Sequence, residues 1–278
     1  METINIIVNG LPGNMAQSVI EKAMDHQQFN IVPFSFTGPE IEKKSVKINN
    51  RSFSLIKPDQ KERFYKENKS LLLSSIAVDY THPSAVDMNC KWYCDYHMNF
   101  VMGTTGGERM RLSEYVQQSK ICAVIAPNMG KQIVGFLAMI EFAAKTFPGL
   151  FDDYSMEITE SHQRGKADSS GTARALIPLF QSLGLNVHEK DIFMERNPDI
   201  QHKQLGVPKS FLNGHAWHTY SLVSQDQTVS FQFTHNVNGR SIYALGTLDA
   251  VRYLNRKILE GNNAGNVYSM IDVLAPGN

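Results

Sequence analysis

A strand, a glycine turn and a helix at the start of the chain constrain its fold most. The run from Ile4 to Val8 is apolar and typical of a buried strand, and it leads into Gly10, Gly13 and a helix-forming stretch. In this geometry the backbone N–H groups at the helix start can hold a dinucleotide pyrophosphate. Pro12 takes the place of the second glycine of the usual fingerprint. Nucleotide binding is therefore predicted, and a turn that uses glycine only for its conformation is the alternative.

Further buried strands alternate with helices along the first half of the chain. They are predicted at residues 29–36, 71–78, 98–102 and 121–126, which indicates an α/β fold with a parallel, Rossmann-like sheet. Ligands bind such sheets at the carboxyl ends of the strands, where small residues let a flat ring approach the backbone. The predicted cofactor-binding residues are Gly10, Gly13, Asn14, Met15, Ser35, Thr37, Gly103, Thr104, Thr105, Pro127, Asn128 and Met129.

The end of the second strand indicates which nicotinamide cofactor the chain prefers. Ser35 and Thr37 stand where an acidic residue would take the adenosine ribose, and Lys43 and Lys44 follow. Hydroxyl and ammonium groups accept a phosphate that a carboxylate would repel, so NADPH is predicted, with NADH as a possible substitute. The alternative is a solvated face, because glutamates lie beside these lysines.

The stretch from Glu160 to Ala173 concentrates polar chemistry. His162, Arg164 and Lys166 lie within five residues, after a predicted strand and before a predicted helix that begins near Ser170. A strand-to-helix loop exposes side chains, and the N–H groups of the first helical turn suit an anion. The alternative is a solvated connection in which Ser170 is only a helix cap.

Composition excludes several classes of partner. Among 278 residues there are 27 Lys plus Arg and 27 Asp plus Glu, so no global field attracts nucleic acid or an anionic membrane. We expect no membrane span and no leader, and three cysteines that cannot all pair indicate a reducing compartment, which we predict to be cytoplasmic. Cys90, Cys94 and His97 have helical spacing but lack a fourth ligand, so no metal site is predicted.

Several of these motifs, in this order, resemble the 4-hydroxy-tetrahydrodipicolinate reductase (dihydrodipicolinate reductase) family of diaminopimelate and lysine biosynthesis. The matching segments are residues 10–16, 103–106, 126–129, 162–173 and 233–240. Gln163 in place of a second histidine, the short Asp168 to Thr172 segment and the hairpin region before residue 70 resemble the plant-type branch.

The resemblance implies that a nicotinamide gives hydride to a cyclic, conjugated imine that carries two carboxylates. A proton donor must complete the reduction, and His162 is predicted as the general acid because its ordinary pKa of about 6.5 lies near neutrality. Lys166 is predicted as a second donor or electrostatic stabiliser. The predicted substrate-binding residues are Gln163, Ser170, Gly171, Thr172 and Arg240.

The predicted domains are a dinucleotide-binding domain, 1–129 with 247–278, and an α+β substrate-binding and oligomerisation domain, 130–246. The active site is expected in a cleft between them, and a homodimer or homotetramer is expected through the second. His215 and His218 are expected to be structural or interface residues. Rival functions are an amino-acid or semialdehyde dehydrogenase on the same scaffold, and a non-catalytic NADPH-binding sensor.

Overall fold

The computed structural model describes residues 3–261 and 264–275. Residue contacts divide the chain into two units, Met1–Val134 with Ser241–Asn278, and Gly135–Arg240. These boundaries lie a few residues from the predicted 129 and 247: the first falls inside the helix Lys131–Thr146, and the second falls at the start of the helix Ser241–Glu260. The division into a cofactor domain and a substrate domain stays a prediction.

The elements follow in chain order. Up to the first boundary they are β1 (Ile4–Asn9), α1 (Asn14–Met24), β2 (Phe29–Ile31), β3 (Phe34–Phe36), β4 (Ser45–Ile48), β5 (Arg51–Ile56), α2 (Pro58–Leu73), β6 (Ser75–Asp79), α3 (Val86–Asp95), β7 (Phe100–Met102), α4 (Arg109–Gln117), β8 (Ala123–Ile125) and α5 (Lys131–Thr146). Then come β9 (Tyr154–His162), α6 (Gly171–Ser182), β10 (Ile192–Glu195), α7 (Pro198–Lys203), β11 (His215–Ser224), β12 (Ser230–Asn238), α8 (Ser241–Glu260), β13 (Val267–Tyr268) and α9 (Met270–Leu274).

The first unit contains the predicted parallel sheet. Its strand order is β13-β8-β7-β6-β1-β2, and every neighbouring pair is parallel. The central strands are buried on both faces, which explains their nearly continuous apolar sequences. The α/β, Rossmann-like fold class is therefore confirmed.

Two strands of this unit have boundaries that differ from the predicted ones. The stretch from Phe29 to Phe36 breaks at Pro33, which has no N–H for a sheet hydrogen bond, so β2 stays in the parallel sheet and β3 joins a small sheet of order β3-β5-β4. The predicted hairpin around Asn49 is present in that small sheet. Residues 71–73 form the end of α2 and not the start of β6. Periodicity alone does not distinguish a helix from a strand in such a short apolar run.

The second unit is built on a mixed sheet of order β10-β9-β11-β12. Ile158, Tyr220 and Leu222 point from one face into a core shared with Phe180 of α6. Phe211 ends a 3-10 turn, so β11 begins only at His215. In the described part of the chain, no helix is both long and apolar enough to cross a membrane.

Candidate active site

Three predicted cofactor loops follow β1, β7 and β8, at the same edge of the parallel sheet. Gly10 has a positive φ of 103° beside the Tyr80 carbonyl, so only glycine fits there without strain. Gly13 precedes α1 without a side-chain cap, and the helix begins at Asn14 and Met15. The N–H groups of this first turn therefore have no side-chain acceptor from the cap residue, which suits a phosphate.

Ser35 and Thr37 do not present free hydroxyls. Their exposed fractions are 0% and 7%, and both hydroxyls are hydrogen-bonded to the backbone of Leu11. The Leu11 N–H donates to Ser35 Oγ at 3.2 Å, and Thr37 Oγ1 donates to the Leu11 carbonyl at 2.6 Å. The expectation that these hydroxyls take a ribose phosphate is therefore corrected: they hold the glycine turn.

Asp79, which no sequence motif singles out, anchors the loop after β7. Its buried carboxylate accepts from Thr104 Oγ1 at 2.8 Å, Thr81 Oγ1 at 2.8 Å, Tyr93 OH at 2.8 Å and Asn89 Nδ2 at 3.1 Å. Thr104 is therefore oriented by Asp79 rather than free.

The other predicted cofactor residues differ in exposure. Gly103 adjoins the Tyr80 ring, and Thr105 and Pro127 are exposed. Asn128 Oδ1 accepts from the Gly130 N–H at 2.8 Å, whereas Met129 lies in the core at 2% exposure. In the loop after β8, the backbone is therefore better placed to contact a cofactor than the buried Met129 side chain.

In the second unit, His162 is the last residue of β9 and not part of a loop. The strand extends to His162 because it pairs with β11 as far as His162 and Ala216. After it, the loop of residues 163–170 leads to α6, where Ser170 Oγ accepts from the Thr172 N–H at 3.2 Å. The predicted helix start and cap are confirmed.

Glu160 is the buried centre of this region. It is fully buried, its Oε2 accepts from the Ser170 N–H at 2.8 Å, and its Oε1 forms a short ion pair with the Arg196 guanidinium. One carboxylate therefore joins the end of β9, the start of α6 and the residue after β10. Such a buried charge is tolerated because it is paired and hydrogen-bonded.

Arg196 also holds the loop itself. Its Nε donates to the Lys166 carbonyl at 2.9 Å, and its Nη1 donates to the Glu195 carbonyl at 3.1 Å. Arg196 lies 30 residues from Lys166 in the sequence, and no local pattern marks it. Glu160 does lie in the polar stretch, but a single glutamate is less conspicuous there than the basic residues that follow it.

Three histidines meet beside Glu160. His162 Nε2 lies 3.4 Å from His218 Nε2, and the His218 ring stacks on His235 with centroids 4.6 Å apart. His218 therefore contacts the predicted catalytic histidine, in addition to the structural role expected for it. His215 has a structural contact, since its Nε2 lies 2.8 Å from Ser161 Oγ on the neighbouring strand.

Burial changes the chemistry expected of His162. It lowers the pKa of the imidazole to about 4; the Glu160 carboxylate opposes this, and the Arg196 and Lys166 charges add to it. The premise that His162 keeps its ordinary pKa is therefore wrong for this structure, and the ring is neutral at pH 7.

Lys166 is one of two cations in the loop, with Arg164. Its ammonium donates to Asp168 Oδ1 at 2.6 Å and to the Ser169 carbonyl at 3.4 Å, and its side chain is 21% exposed. The hydrogen bond from Lys166 lowers the pKa of the Asp168 carboxyl. Asp168 itself is exposed, so the pair is open to exchange with another anion.

Glu160, His162 and His218 also have ligand atoms within 4.8 Å of one another, as in a metal site. The fit is poor, because both Glu160 oxygens already accept hydrogen bonds and the Arg196 and Lys166 cations would repel a dication. Cys90 and Cys94 are buried in the core while His97 is exposed beyond α3, so these three do not converge.

The predicted substrate residues are only partly assembled. Gly171 and Thr172 open α6, and Gln163 is half-buried directly after His162. Ser170 is engaged as the cap, and its N–H is taken by Glu160. Arg240 is the last residue of the unit, near Gly214, and no hydrogen bond or ion pair to the described residues joins it to the loop.

A Rossmann-like unit with a glycine turn, and a second unit with a cationic loop at a helix start, are the features expected of a nicotinamide-dependent oxidoreductase. Comparison with known proteins makes this specific. The family models described as dihydrodipicolinate reductase N-terminus and C-terminus match residues 4–129 and 133–274. The chain therefore belongs to the dihydrodipicolinate reductase family, and the predicted family and reductase function are confirmed.

Individual relatives agree. A chloroplastic 4-hydroxy-tetrahydrodipicolinate reductase of Arabidopsis thaliana is 46% identical over 99% of this chain and 79% of its own length. The reductase of Methanococcus aeolicus is 26% identical over 98% of both chains. A dipicolinate-bound dihydrodipicolinate reductase from Paenisporosarcina has the same fold, with a TM-score of 0.64, 16% identity and coverage of 96% and 97%. The resemblance to the plant-type branch is thereby confirmed.

Replacing Glu160 by Gln should destabilise the second unit. The change leaves the Arg196 guanidinium without its buried counter-charge, which typically costs about 3–5 kcal/mol. Chemical denaturation followed by Tyr and Trp fluorescence measures the loss. The control is Glu157→Gln, an exposed glutamate on the same strand, for which we expect a change below about 0.5 kcal/mol. Equal stability of the two variants would contradict the central place given to Glu160.

Proposed function

We propose that this chain reduces 4-hydroxy-tetrahydrodipicolinate to tetrahydrodipicolinate with His162 and Lys166 as the catalytic pair. The observation that carries the proposal is their placement: a neutral imidazole at the end of β9, an ammonium in the following loop, and the start of α6 in one continuous segment. The 4-hydroxyl leaves as water, and one hydride from the nicotinamide and one proton from the enzyme are added.

The two residues have different roles in this proposal. Hydride addition to the conjugated imine places negative charge on the ring, which a hydrogen bond and a nearby cation stabilise. His162 is neutral, so it serves as a hydrogen-bond donor to that charge. Lys166 is the proposed proton donor, and its exposed partner Asp168 can yield to a substrate carboxylate.

The substrate carboxylates suit the start of α6. The N–H groups of Gly171 and Thr172 and the Thr172 hydroxyl lie in the first helical turn, which favours an anion. Gln163 can add an uncharged hydrogen bond. Arg240 and the Ser170 hydroxyl are further proposed contacts, although the Ser170 hydroxyl already caps the helix.

The catalytic pair is tested with variants in one assay. Lys166→Met should lower kcat by at least about 100-fold because the proton donor is lost. His162→Ala should lower it by about 100-fold to 1000-fold because one donor to the developing charge is lost. NADPH oxidation is followed by absorbance, with substrate generated in place from pyruvate and aspartate semialdehyde.

The matched control is Arg164→Ala, which removes an exposed cation from the same loop and should leave kcat within about threefold. Both catalytic variants should bind NADPH as the wild type does. Loss of cofactor binding alone in either variant, or equal loss of kcat in Arg164→Ala, would contradict the assignment.

For the cofactor, we propose binding at the glycine turn and at the loops after β7 and β8, with NADPH preferred over NADH. Ser35 and Thr37 are engaged with Leu11, so the exposed Lys43 and Lys44 are the side chains proposed to meet the ribose phosphate. No carboxylate stands directly at the end of β3 to repel it.

Calorimetry should give a lower Kd for NADPH than for NADH. The double variant Lys43→Ala with Lys44→Ala should raise the Kd for NADPH at least about threefold and leave that for NADH unchanged. The control Lys47→Ala, an exposed lysine on β4, should change neither. Equal Kd values of the wild type for the two cofactors would exclude the preference.

We also propose a homo-oligomer formed through the second unit. One face of its sheet packs on α6, while the other presents Thr159, Trp217, Thr219 and Asn236 at its surface. Light scattering should give at least twice the chain mass of 31.3 kDa. A monomer whose mass is unchanged by Trp217→Glu would exclude this interface.

The compartment is proposed to be reducing, since all three cysteines are free and buried. We keep cytoplasmic as the proposed location, while the plant relatives are named chloroplastic. A semialdehyde dehydrogenase remains the weaker candidate, because it needs a thiol nucleophile and Cys90, Cys94 and Cys122 are buried in the first unit. A non-catalytic NADPH-binding sensor needs no proton donor, so its NADPH binding would be unchanged in His162→Ala.

A further inference from the structure

The contact between His162 and His218 restricts where each ring carries its proton. Their Nε2 atoms are 3.4 Å apart and the ring planes make an angle of 74°. Two such nitrogens form a hydrogen bond only when one of them holds a proton and the other does not. Both rings are neutral at pH 7, because burial lowers the pKa of His162 to about 4 and that of His218 to about 2. Each ring therefore carries one proton.

Two observations indicate that His218 is the donor. The Glu160 carboxylate Oε2 lies 3.8 Å from His218 Nε2, and a negative charge favours an N–H there over a lone pair. His218 Nδ1 is buried and has no partner among the described residues. A proton on that atom would leave an unsatisfied buried N–H, which proteins rarely tolerate.

The His218 ring is also held in place. It stacks on His235 at 4.6 Å and lies parallel to the Tyr220 ring, with an interplanar angle of 7°. It is only 2% exposed, so it has little room to rotate. The donor nitrogen is therefore kept facing His162.

We propose that His218 is a positioning residue that fixes His162 in the form protonated on Nδ1, so that His162 meets the substrate as a neutral hydrogen-bond donor. This inference rests on the proposed catalytic use of His162. The Nδ1 atom of His162 has no hydrogen-bond partner among the described residues. Unlike Nδ1 of His218, it is not one of the unpaired atoms that are shut off from solvent, so it is available to a ligand.

The arrangement also opposes an imidazolium at His162. A second proton on Nε2 would face the N–H of His218, and the Arg196 and Lys166 cations and the neighbouring His215 act in the same direction. His235 acts on the other ring, where it lowers the pKa of His218, and Glu160 is the group that favours a charged His162. The proton of the reaction is thereby left to Lys166.

The test is nitrogen NMR of the His162 ring in the protein without substrate, with a chelator present to exclude metal at Glu160. The expected result between pH 6 and 8 is a protonated Nδ1 and a bare Nε2. A wild-type ring protonated on Nε2, or on both nitrogens at pH 7, would overturn the proposal. Because no turnover is involved, this readout is independent of whether the proposed reduction is correct.

Variants separate positioning from general structural support. His218→Phe removes the donor, so the His162 midpoint should rise by about 1 pH unit and a matching step should enter the pH profile of kcat/KM. His218→Gln restores an N–H at the Nε2 position and should restore the wild-type tautomer and profile. His215→Gln, a control on the same strand, should leave the His162 tautomer unchanged. If His218→Phe does not fold, the His162 tautomer in the wild type and in His218→Gln still tests the proposal. If His218→Phe folds and the His162 tautomer and midpoint are unchanged, the proposal is contradicted.

Discussion

The buried carboxylate of Glu160 is the interaction on which the second unit depends. It accepts the N–H of Ser170 at the start of α6 and pairs with Arg196, which in turn holds the Lys166 carbonyl. A fully buried charge is stable only with such partners, so the strand end, the loop and the helix start are required to come together. The chemistry proposed for His162 and Lys166 follows from that geometry rather than from the two residues alone.

In the first unit, the buried carboxylate of Asp79 has a comparable supporting role. This carboxylate, at the end of β6, gathers hydroxyl and amide donors from three segments and so orients Thr104 in the loop after β7. In both units, then, the groups predicted to touch a ligand are supported by a buried acid at the end of a strand. The acid contributes position, and the exposed backbone and side chains contribute contact.

Much of this fold could be predicted from the sequence, because the parallel strands are apolar runs and the turns carry glycine at positions that require it, such as Gly10. The loop around Lys166 was also recognisable, since its cations and helix cap are consecutive. Arg196 and His218 were not, because partners 36 and 56 residues away in sequence become neighbours only through pairing of β9 with β10 and β11. The neutral state of His162 was hidden for the same reason: burial decides it, and a polar stretch gives no sign of burial.

The central claim is that this chain transfers hydride from a nicotinamide to the cyclic dicarboxylate. The most direct measurement uses NADPH carrying deuterium at both C4 positions and mass spectrometry of the tetrahydrodipicolinate formed. We expect a product one mass unit heavier, with the deuterium retained at the reduced carbon. An unlabelled product, or oxidation of NADPH with no product, would contradict it.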